Sequence, residues 1–313
     1  MKLGSAVREY IAYKQGIGMV FETEAALLRA FTKRAGPCMP VRKITPKMVS
    51  RYLNGHGPIT CFWHRKHDAL SGFWRFAIQR GYTDWSPVPP QRPKKPTPFV
   101  PHIYTQEELR RLVDGTATYQ SKWWKLEAVS LRSILLLLYG AGLRVSEAIN
   151  LTCADVNLSD AMLTIRLTKF YKMRHVAINS QLCRLLSDYD TNRREKGVRR
   201  DSATPFFTYK NGDPVKRSGI EDAFLRLRQH VGVRRQSARY QPRLHDLRHS
   251  FAVHRVIAWY RTGADVQRLL PALATHFGHI DLDATKHYLT MTPELLAEAS
   301  LRFEGYAEEV LHA

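Results

Sequence analysis

The side chains of this sequence that could do chemistry lie in three short stretches of its second half. Tyr139-Gly140-Ala141-Gly142-Leu143-Arg144 ends an apolar segment in glycines, presents an arginine and is followed by Glu147. Leu244-His245-Asp246-Leu247-Arg248 places a histidine and an arginine three residues apart, on one face of a helix start. Gly278-His279 is followed nine residues later by Tyr288. The three stretches supply guanidinium, imidazole and phenol groups.

These groups fit the chemistry of a phosphodiester. A guanidinium can grip a phosphate through two parallel hydrogen bonds, an imidazole can transfer protons, and a phenol can act as a nucleophile. Each motif alone has a simpler interpretation, such as Arg144 paired with Glu147 or a tyrosine packed in a core. Taken jointly and in this chain order, they predict attack on a phosphodiester by a tyrosine. Tyr306 is a rival nucleophile, but it lacks the Gly-His spacing upstream.

The three stretches resemble the tyrosine recombinase (phage integrase) family over roughly residues 103–300. The family pattern is an arginine with a glutamate three residues later, then His-x-x-Arg, then Gly-His, then the nucleophilic tyrosine. The family also carries a catalytic lysine in a β-hairpin loop, for which Lys169 is the best match and Lys172 the second. The positions that match are Arg144 with Glu147, His245 with Arg248, Gly278-His279, and Tyr288.

The resemblance implies a role for each matched residue. Tyr288 would attack the scissile phosphate and leave a 3′-phosphotyrosyl bond with a free 5′ hydroxyl, so that no ATP is needed. Arg144 and Arg248 would hold the non-bridging oxygens, and His245 would act as hydrogen-bonding group or general base. Lys169 would be the general acid, and His279 a further phosphate contact. No metal or other cofactor is implied, because the arginines take the electrostatic role that Mg²⁺ has in two-metal nucleases.

The chain is expected to divide at the proline-rich stretch 86–101, which holds seven of the sixteen prolines. Proline fixes φ and disfavours helix in the residue before it, so this stretch predicts an extended linker. Helical patterns dominate before it, and residues 1–85 are predicted to be a helical core-binding, DNA-binding domain. Residues 102–313 are predicted to be the catalytic domain. The expected fold class is mainly α with a small antiparallel β-sheet in the catalytic domain (α+β).

Further elements are predicted from hydrophobic periodicity and cap residues. Alternation over 161–167 and 174–178 predicts a hairpin with a basic loop, and Thr105 with Glu108 predicts a capping box. Helices are expected over 6–13, 22–33, 45–53, 59–79, 105–114, 126–139, 145–151, 180–189, 217–231, 244–260, 264–270 and 293–303. The helix over 293–303 packs either on its own domain or on a neighbouring protomer, and the sequence leaves both open.

The net charge of +20 on 313 residues indicates a polyanionic partner, either nucleic acid or an acidic membrane face. Residues 1–101 carry 17 Lys+Arg and 5 Asp+Glu (+12), and residues 102–313 carry 31 and 23 (+8). With the resemblance, the expected partner is double-stranded DNA. It is expected to be bound at paired sites by a homotetramer, alone or together with related recombinases, and no membrane partner is expected. Cytoplasmic, nucleoid-associated localisation is expected. The four cysteines, Cys38, Cys61, Cys153 and Cys183, are predicted to be free, buried thiols.

The predicted function is therefore site-specific recombination of DNA, in integration, excision or transposition. The sequence leaves open whether the enzyme serves a phage, a transposon, a plasmid or the chromosome, with a mobile element preferred. Relaxation of DNA in the manner of a type IB topoisomerase is an alternative of the same chemical class. A DNA-binding regulator without strand chemistry is an alternative of another class. Cys61, His64 and His67 are spaced like the start of a zinc site, but no fourth ligand is evident nearby.

Overall fold

A threonine opens each of two helices in the amino-terminal part of the chain. The Thr45 hydroxyl accepts a hydrogen bond from the Met48 amide before α3, and Thr60 accepts one from Phe62 before α4. The structure, a computed structural model, describes residues 1–55, 57–96, 99–118, 125–166, 173–197, 201–236, 240–278, 294–298 and 300–301. Contacts divide the chain into two compact units, Met1–Phe99 and Val100–Ala313.

The described part of the first unit is built mainly from helices. Its helices are α1 (Leu3–Gly16), α2 (Glu22–Ala35), α3 (Pro46–Asn54) and α4 (Cys61–Gln79). Helix α4 contributes four of the eight buried aromatic residues of this core. Its Phe73 and Trp74 are fully buried and pack against Tyr10 of α1 and Phe31 of α2. Several residues of α3 line a basic pocket in this unit.

The second unit is built mainly from helices around the buried α6. These helices are α5 (Gln106–Thr118), α6 (Ala128–Gly140), α7 (Val145–Ile149), α8 (Ser180–Glu195), α9 (Arg217–His230), α10 (Asp246–Arg261) and α11 (Val266–Phe277). The predicted capping box opens α5, since the Thr105 amide donates to Glu108 Oε2 and the Glu108 amide donates to Thr105 Oγ1. Residues 294–298 and 300–301 are also helical, and we call them the tail helix.

A three-stranded antiparallel sheet lies beside these helices, in the order β1 (Val156–Asn157), β2 (Met162–Ile165), β3 (Arg174–Ala177). The β2–β3 register pairs Leu163 with Val176 and Ile165 with Arg174. The predicted hairpin is therefore present, and its loop, 167–172, lies outside the described residues. Strand β1 was not predicted, because two residues give no detectable alternation.

Two sequence expectations are corrected by the structure. The helix expected over 264–270 runs on through Pro271 to Phe277 as α11, because Leu273, Ala274 and Phe277 are buried and hold the following turns in place. The cysteines are free, but Cys38 and Cys61 are exposed rather than buried. Cys61 is the first residue of α4, where its side chain faces away from the core.

Candidate active site

A tight turn between α6 and α7 presents Arg144. Helix α6 ends at Gly140, Gly142 adopts a left-handed φ of 61°, and Arg144 is the cap residue of α7. A β-carbon on Gly142 would lie 2.6 Å from Phe251 and 2.8 Å from Phe277, so only glycine fits both the backbone and the space. The Arg144 side chain is 35% exposed, the most open of the described site arginines.

Arg248 lies directly behind this turn. It lies in the first turn of α10, and its side chain is 2% exposed. Its Nη1 donates to the backbone oxygen of Gly142 at 2.7 Å and its Nη2 to that of Phe277 at 2.9 Å, while the guanidinium lies 4.2 Å from the centre of the Phe277 ring. Arg248 thus joins the turn that carries Arg144 to the end of α11, where Gly278 precedes His279.

Glu147 is the common acceptor of this cluster. Its Oε1 accepts from Arg144 Nη1 at 2.7 Å, its Oε2 accepts from the Arg144 amide at 2.9 Å, and Arg248 Nη1 lies 3.7 Å from Oε2. Burial alone would raise the pKa of Glu147, but hydrogen bonds and charge from Arg174 and Arg144 lower it to about 2. The carboxylate is therefore ionised and holds several guanidinium groups within one cluster.

His245 lies at the start of α10, next to the arginines. Burial, followed by the positive charges of Arg248 and Arg243, lowers its pKa to about 4. The neighbouring His249, whose ring centre is 5.0 Å from that of His245, has its pKa lowered to about 4 by burial and by His245. At neutral pH His245 is therefore an uncharged imidazole, which can accept a hydrogen bond or a proton.

Two further side chains complete the cluster and were missed by sequence reasoning. Arg174, at the start of β3, donates to both oxygens of Glu147 and through Nε to the His276 backbone oxygen at 3.0 Å. His276 bonds the Ala141 backbone oxygen at 2.8 Å. The sequence signal for Arg174 was available, because it shares a strand face with the buried Val176. A charged residue on the inward face of a strand needs a partner.

The structure thus brings together Arg144, Arg248 and His245 of the predicted site residues. Lys169, Lys172, His279, Tyr288 and the rival Tyr306 lie outside the described residues. Gly278 is the last described residue before the segment that carries His279 and Tyr288. The described cluster can hold an anionic, tetrahedral group. It offers the half-exposed Arg144, the buried Arg248 behind it, and the neutral imidazole of His245 beside both.

The tail helix, whose first described residue is Glu294, contacts its own chain. Leu295 is 1% exposed and belongs to the apolar cluster that contains Phe251 of α10 and Phe277 of α11. Arg261 at the end of α10 pairs with Glu294 at 2.7 Å and with Glu298 at 2.8 Å. Of the two arrangements that the sequence left open, the described residues of the tail helix take the one within the chain.

A pocket of about 710 Å³ in the first unit is rimmed by cations. Arg34, Lys47, Arg51 and Lys66 line it, and no acidic residue is among its described lining residues. The Lys66 ammonium donates to the backbone oxygens of Tyr52 and Leu53 at the end of α3. Burial and then Arg34 lower the pKa of Lys66. The pocket is a local concentration of positive charge.

The described residues contain no group of three His, Cys, Asp or Glu side chains placed to hold a metal ion. In the interrupted zinc-like spacing, His67 Nε2 bonds the backbone oxygen of Pro89 at 2.8 Å, and its ring stacks on Trp63. No described helix is both long enough and apolar enough to span a membrane.

Comparison with known sequences identifies relatives of this chain. Residues 103–294 match the model of the phage integrase family. A protein of Sinorhizobium fredii (strain NBRC 101917 / NGR234), provisionally described as integrase/recombinase y4rB, is 32% identical over 97% of this chain and 98% of its own length. The tyrosine recombinase XerC of Pediococcus pentosaceus (strain ATCC 25745 / CCUG 21536 / LMG 10740 / 183-1w) is 30% identical over 76% of this chain and 74% of its own length.

Solved structures share the fold. The Tn1549 transposon integrase in complex with transposon right end DNA superposes with a TM-score of 0.67 at 16% identity, over 98% of this chain and 100% of that one. A lambda integrase tetramer bound to a Holliday junction gives a TM-score of 0.65 at 16% identity, over 92% of this chain and 77% of that one. The mainly helical fold with its small antiparallel sheet is therefore that of these integrases.

Proposed function

The chain belongs to the phage integrase family, and we propose that it is a site-specific recombinase that cleaves and rejoins DNA through a 3′-phosphotyrosyl intermediate. The observation that carries the proposal is the cluster around Glu147, which joins Arg144 to Arg248 although the two lie in separate sequence motifs. A phosphodiester is the group that two guanidiniums beside a neutral imidazole fit best.

In the proposed step, the Tyr288 phenol oxygen attacks phosphorus and the bond from phosphorus to the 5′ oxygen breaks. The phenol gives up its proton to a base, and the 5′ oxygen gains a proton from an acid, so the charges balance. Arg144 and Arg248 hold the non-bridging oxygens as charge develops on them. His245, kept neutral by its pKa of about 4, is available as proton acceptor or hydrogen-bonding group. We assign Lys169 as general acid to the leaving oxygen and His279 as a further phosphate contact.

The reverse reaction rejoins the strands. A 5′ hydroxyl of the partner strand attacks the phosphotyrosyl bond and releases Tyr288. One phosphoester replaces another in each step, so the bond energy is conserved without a nucleotide cofactor.

We further assign DNA binding to the amino-terminal part, residues 1–85, with residues 86–101 as linker and 102–313 as catalytic domain. Residues 1–101 carry a net charge of +12. The cation-rimmed pocket beside α3 concentrates part of that charge in a concave surface without acidic residues among those described. Lys and Arg side chains that neutralise DNA phosphates supply most of the sequence-independent affinity.

Assembly as a homotetramer on paired DNA sites is part of the same proposal. It is supported by the fold shared with lambda integrase, whose tetramer binds a Holliday junction. Likeness to the Tn1549 transposon integrase supports a role in moving a genetic element, by integration or excision. We assign the enzyme, as one that acts on DNA, to the cytoplasm at the nucleoid.

The test first searches the DNA on either side of the gene for inverted repeats, and then uses a nicked duplex that carries the repeats found there. Cleavage of such a suicide substrate releases a short oligonucleotide and traps the covalent adduct, which is resolved from free protein on a denaturing gel. We expect an adduct with the wild-type chain, none with Tyr288→Phe, and a strongly reduced yield with Arg144→Ala. An adduct that survives Tyr288→Phe would refute the assigned nucleophile. Relaxation of plasmids without paired sites, by monomer, would favour the topoisomerase alternative.

A further inference from the structure

Arg174 makes more contacts to the Glu147 carboxylate than either arginine of the sequence motifs does through its side chain. Its Nη1 donates to Oε1 at 3.0 Å and its Nη2 to Oε2 at 2.8 Å, a fork that engages both carboxylate oxygens. The Arg174 side chain is 11% exposed and that of Glu147 is 7% exposed. This is a largely buried, bidentate ion pair between β3 and α7.

The charges of the cluster explain why a third arginine is needed there. One carboxylate stands among Arg144, Arg248 and Arg174. With Arg174 present, the carboxylate has its own bidentate counter-charge, and the charge of the other two is left for a bound anion. Without Arg174, the carboxylate would be balanced by Arg144 and Arg248 alone, in a site where burial strengthens each such attraction.

Arg174 also ties together the segments that carry the other proposed site residues. It lies two residues after Lys172 in the chain, and its Nε holds the His276 backbone oxygen at the end of α11. A β-carbon on Gly278 would lie 3.0 Å from Arg174 Nη1, so the side chain passes close to the backbone just before His279. The guanidinium of this β3 residue therefore contacts both α7 and the end of α11.

We propose that Arg174 is a positioning residue that neutralises Glu147, so that Arg144 and Arg248 keep their positive charge for the scissile phosphate. The inference rests on the proposed function, because it concerns the rate of the same cleavage step. Arg174 touches neither the DNA nor the nucleophile in this assignment, and it acts through Glu147.

The experiment measures single-turnover adduct formation at saturating suicide substrate, and DNA affinity separately by gel shift. We expect Arg174→Met to slow adduct formation by about 10–100-fold, the size of effect typical of losing a residue that orients an active-site group, and to change the DNA Kd little. In the double variant Glu147→Gln/Arg174→Met no carboxylate remains to compete, so we expect it to form adduct faster than Arg174→Met. Arg174→Lys, which keeps one positive charge, should lose less.

A pH profile separates this role from a structural one. In Arg174→Met the Glu147 carboxylate loses its bidentate partner and is protonated more readily, which frees the other arginines. The defect relative to wild type should therefore shrink as the pH falls from 8 toward 5. Arg166→Met is the matched control, because Arg166 directly follows β2 of the same hairpin and pairs with a different carboxylate, that of Asp155. We expect it to leave adduct formation close to the wild-type rate.

Three outcomes would overturn the inference while leaving the proposed function intact: adduct formation by Arg174→Met at the wild-type rate, a double variant no faster than Arg174→Met, or an equal loss in Arg166→Met. If Arg174→Met does not fold, Arg174→Lys is compared with Glu147→Gln/Arg174→Lys instead, and a double variant no faster than Arg174→Lys overturns the inference. A wild-type chain that forms no adduct would overturn the proposed function itself.

Discussion

Arg248 donates a hydrogen bond of 2.7 Å to the backbone oxygen of Gly142, which lies 106 residues earlier in the chain. The bond joins the start of α10 to the turn that presents Arg144. Both partners are buried, so an unpaired guanidinium here would be costly. The geometry of the turn and the placement of the two arginines are therefore one structural unit.

Gly142→Ala should damage this unit. The new β-carbon would meet Phe251 and Phe277 at a residue whose φ is 61°, and we expect a loss of about 2–4 kcal/mol in the free energy of unfolding from overpacking and backbone strain together. Urea denaturation measures the loss. Gly212→Ala is the control, because φ there is 85° but nothing lies within 4 Å of the new carbon, so only about 1 kcal/mol of strain is expected. Equal losses would contradict the packing argument.

Acid should destabilise the fold in a definite pH window. Burial lowers the pKa of His245 and of His249 from 6.5 to about 4. The unfolded chain then binds more protons than the folded chain between those values, so the stability that the neutral imidazoles contribute is complete above pH 6.5 and is lost as the pH falls toward 4. Each histidine should account for about 3 kcal/mol, the free energy that corresponds to the difference between 6.5 and about 4.

Chemical denaturation at a series of pH values checks this window. His249→Gln should flatten the dependence between pH 6.5 and 4, because one of the two shifted groups is removed. His175→Gln is the matched control, because His175 on β3 is exposed. It should leave the dependence of stability on pH unchanged. A slope that is unchanged in His249→Gln would show that other groups take up the protons.

Local sequence signals predicted much of this fold, but they could not predict contacts between residues that lie far apart in the chain. The Thr105–Glu108 box and the Thr45 cap depend on residues three apart in the chain, so the sequence window contains the whole interaction. The bond between Arg174 and Glu147 spans 27 residues and exists only once β3 is packed against α7. Helix α11 continues past Pro271 for the same reason, because burial of Leu273 and Phe277 outweighs one missing backbone donor.

The cation-rimmed pocket of the first unit should control DNA affinity and its salt dependence. Lys47→Ala/Arg51→Ala removes two cations that are four residues apart on α3 and line the pocket. We expect weaker binding, with a slope of log affinity against log salt reduced by about 2. Fluorescence anisotropy with a labelled duplex at several salt concentrations measures both quantities, and cleavage of fully bound DNA should stay nearly intact.

The control for this pair removes the same charge from another part of the same unit. Arg8 bonds Ser5 and Arg80 lies 3.7 Å from Glu9, and neither lines the pocket. Arg8→Ala/Arg80→Ala should reduce affinity less. If both pairs weaken binding equally, net charge rather than the pocket determines affinity.

The packing of the tail helix should influence the rate of cleavage. The helix follows Tyr288 closely in the chain, and its Leu295 packs on the cluster that contains Phe277. Leu295→Ala removes a side chain that is 1% exposed, whereas Leu296→Ala, on the same helix, removes one that is 53% exposed. We expect Leu295→Ala to increase hydrogen exchange over 294–301 and to slow adduct formation by about tenfold, the effect of losing about 1.4 kcal/mol. Leu296→Ala should change neither quantity. Faster hydrogen exchange without slower cleavage would mean that the packing of Leu295 stabilises the tail helix but does not position the nucleophile.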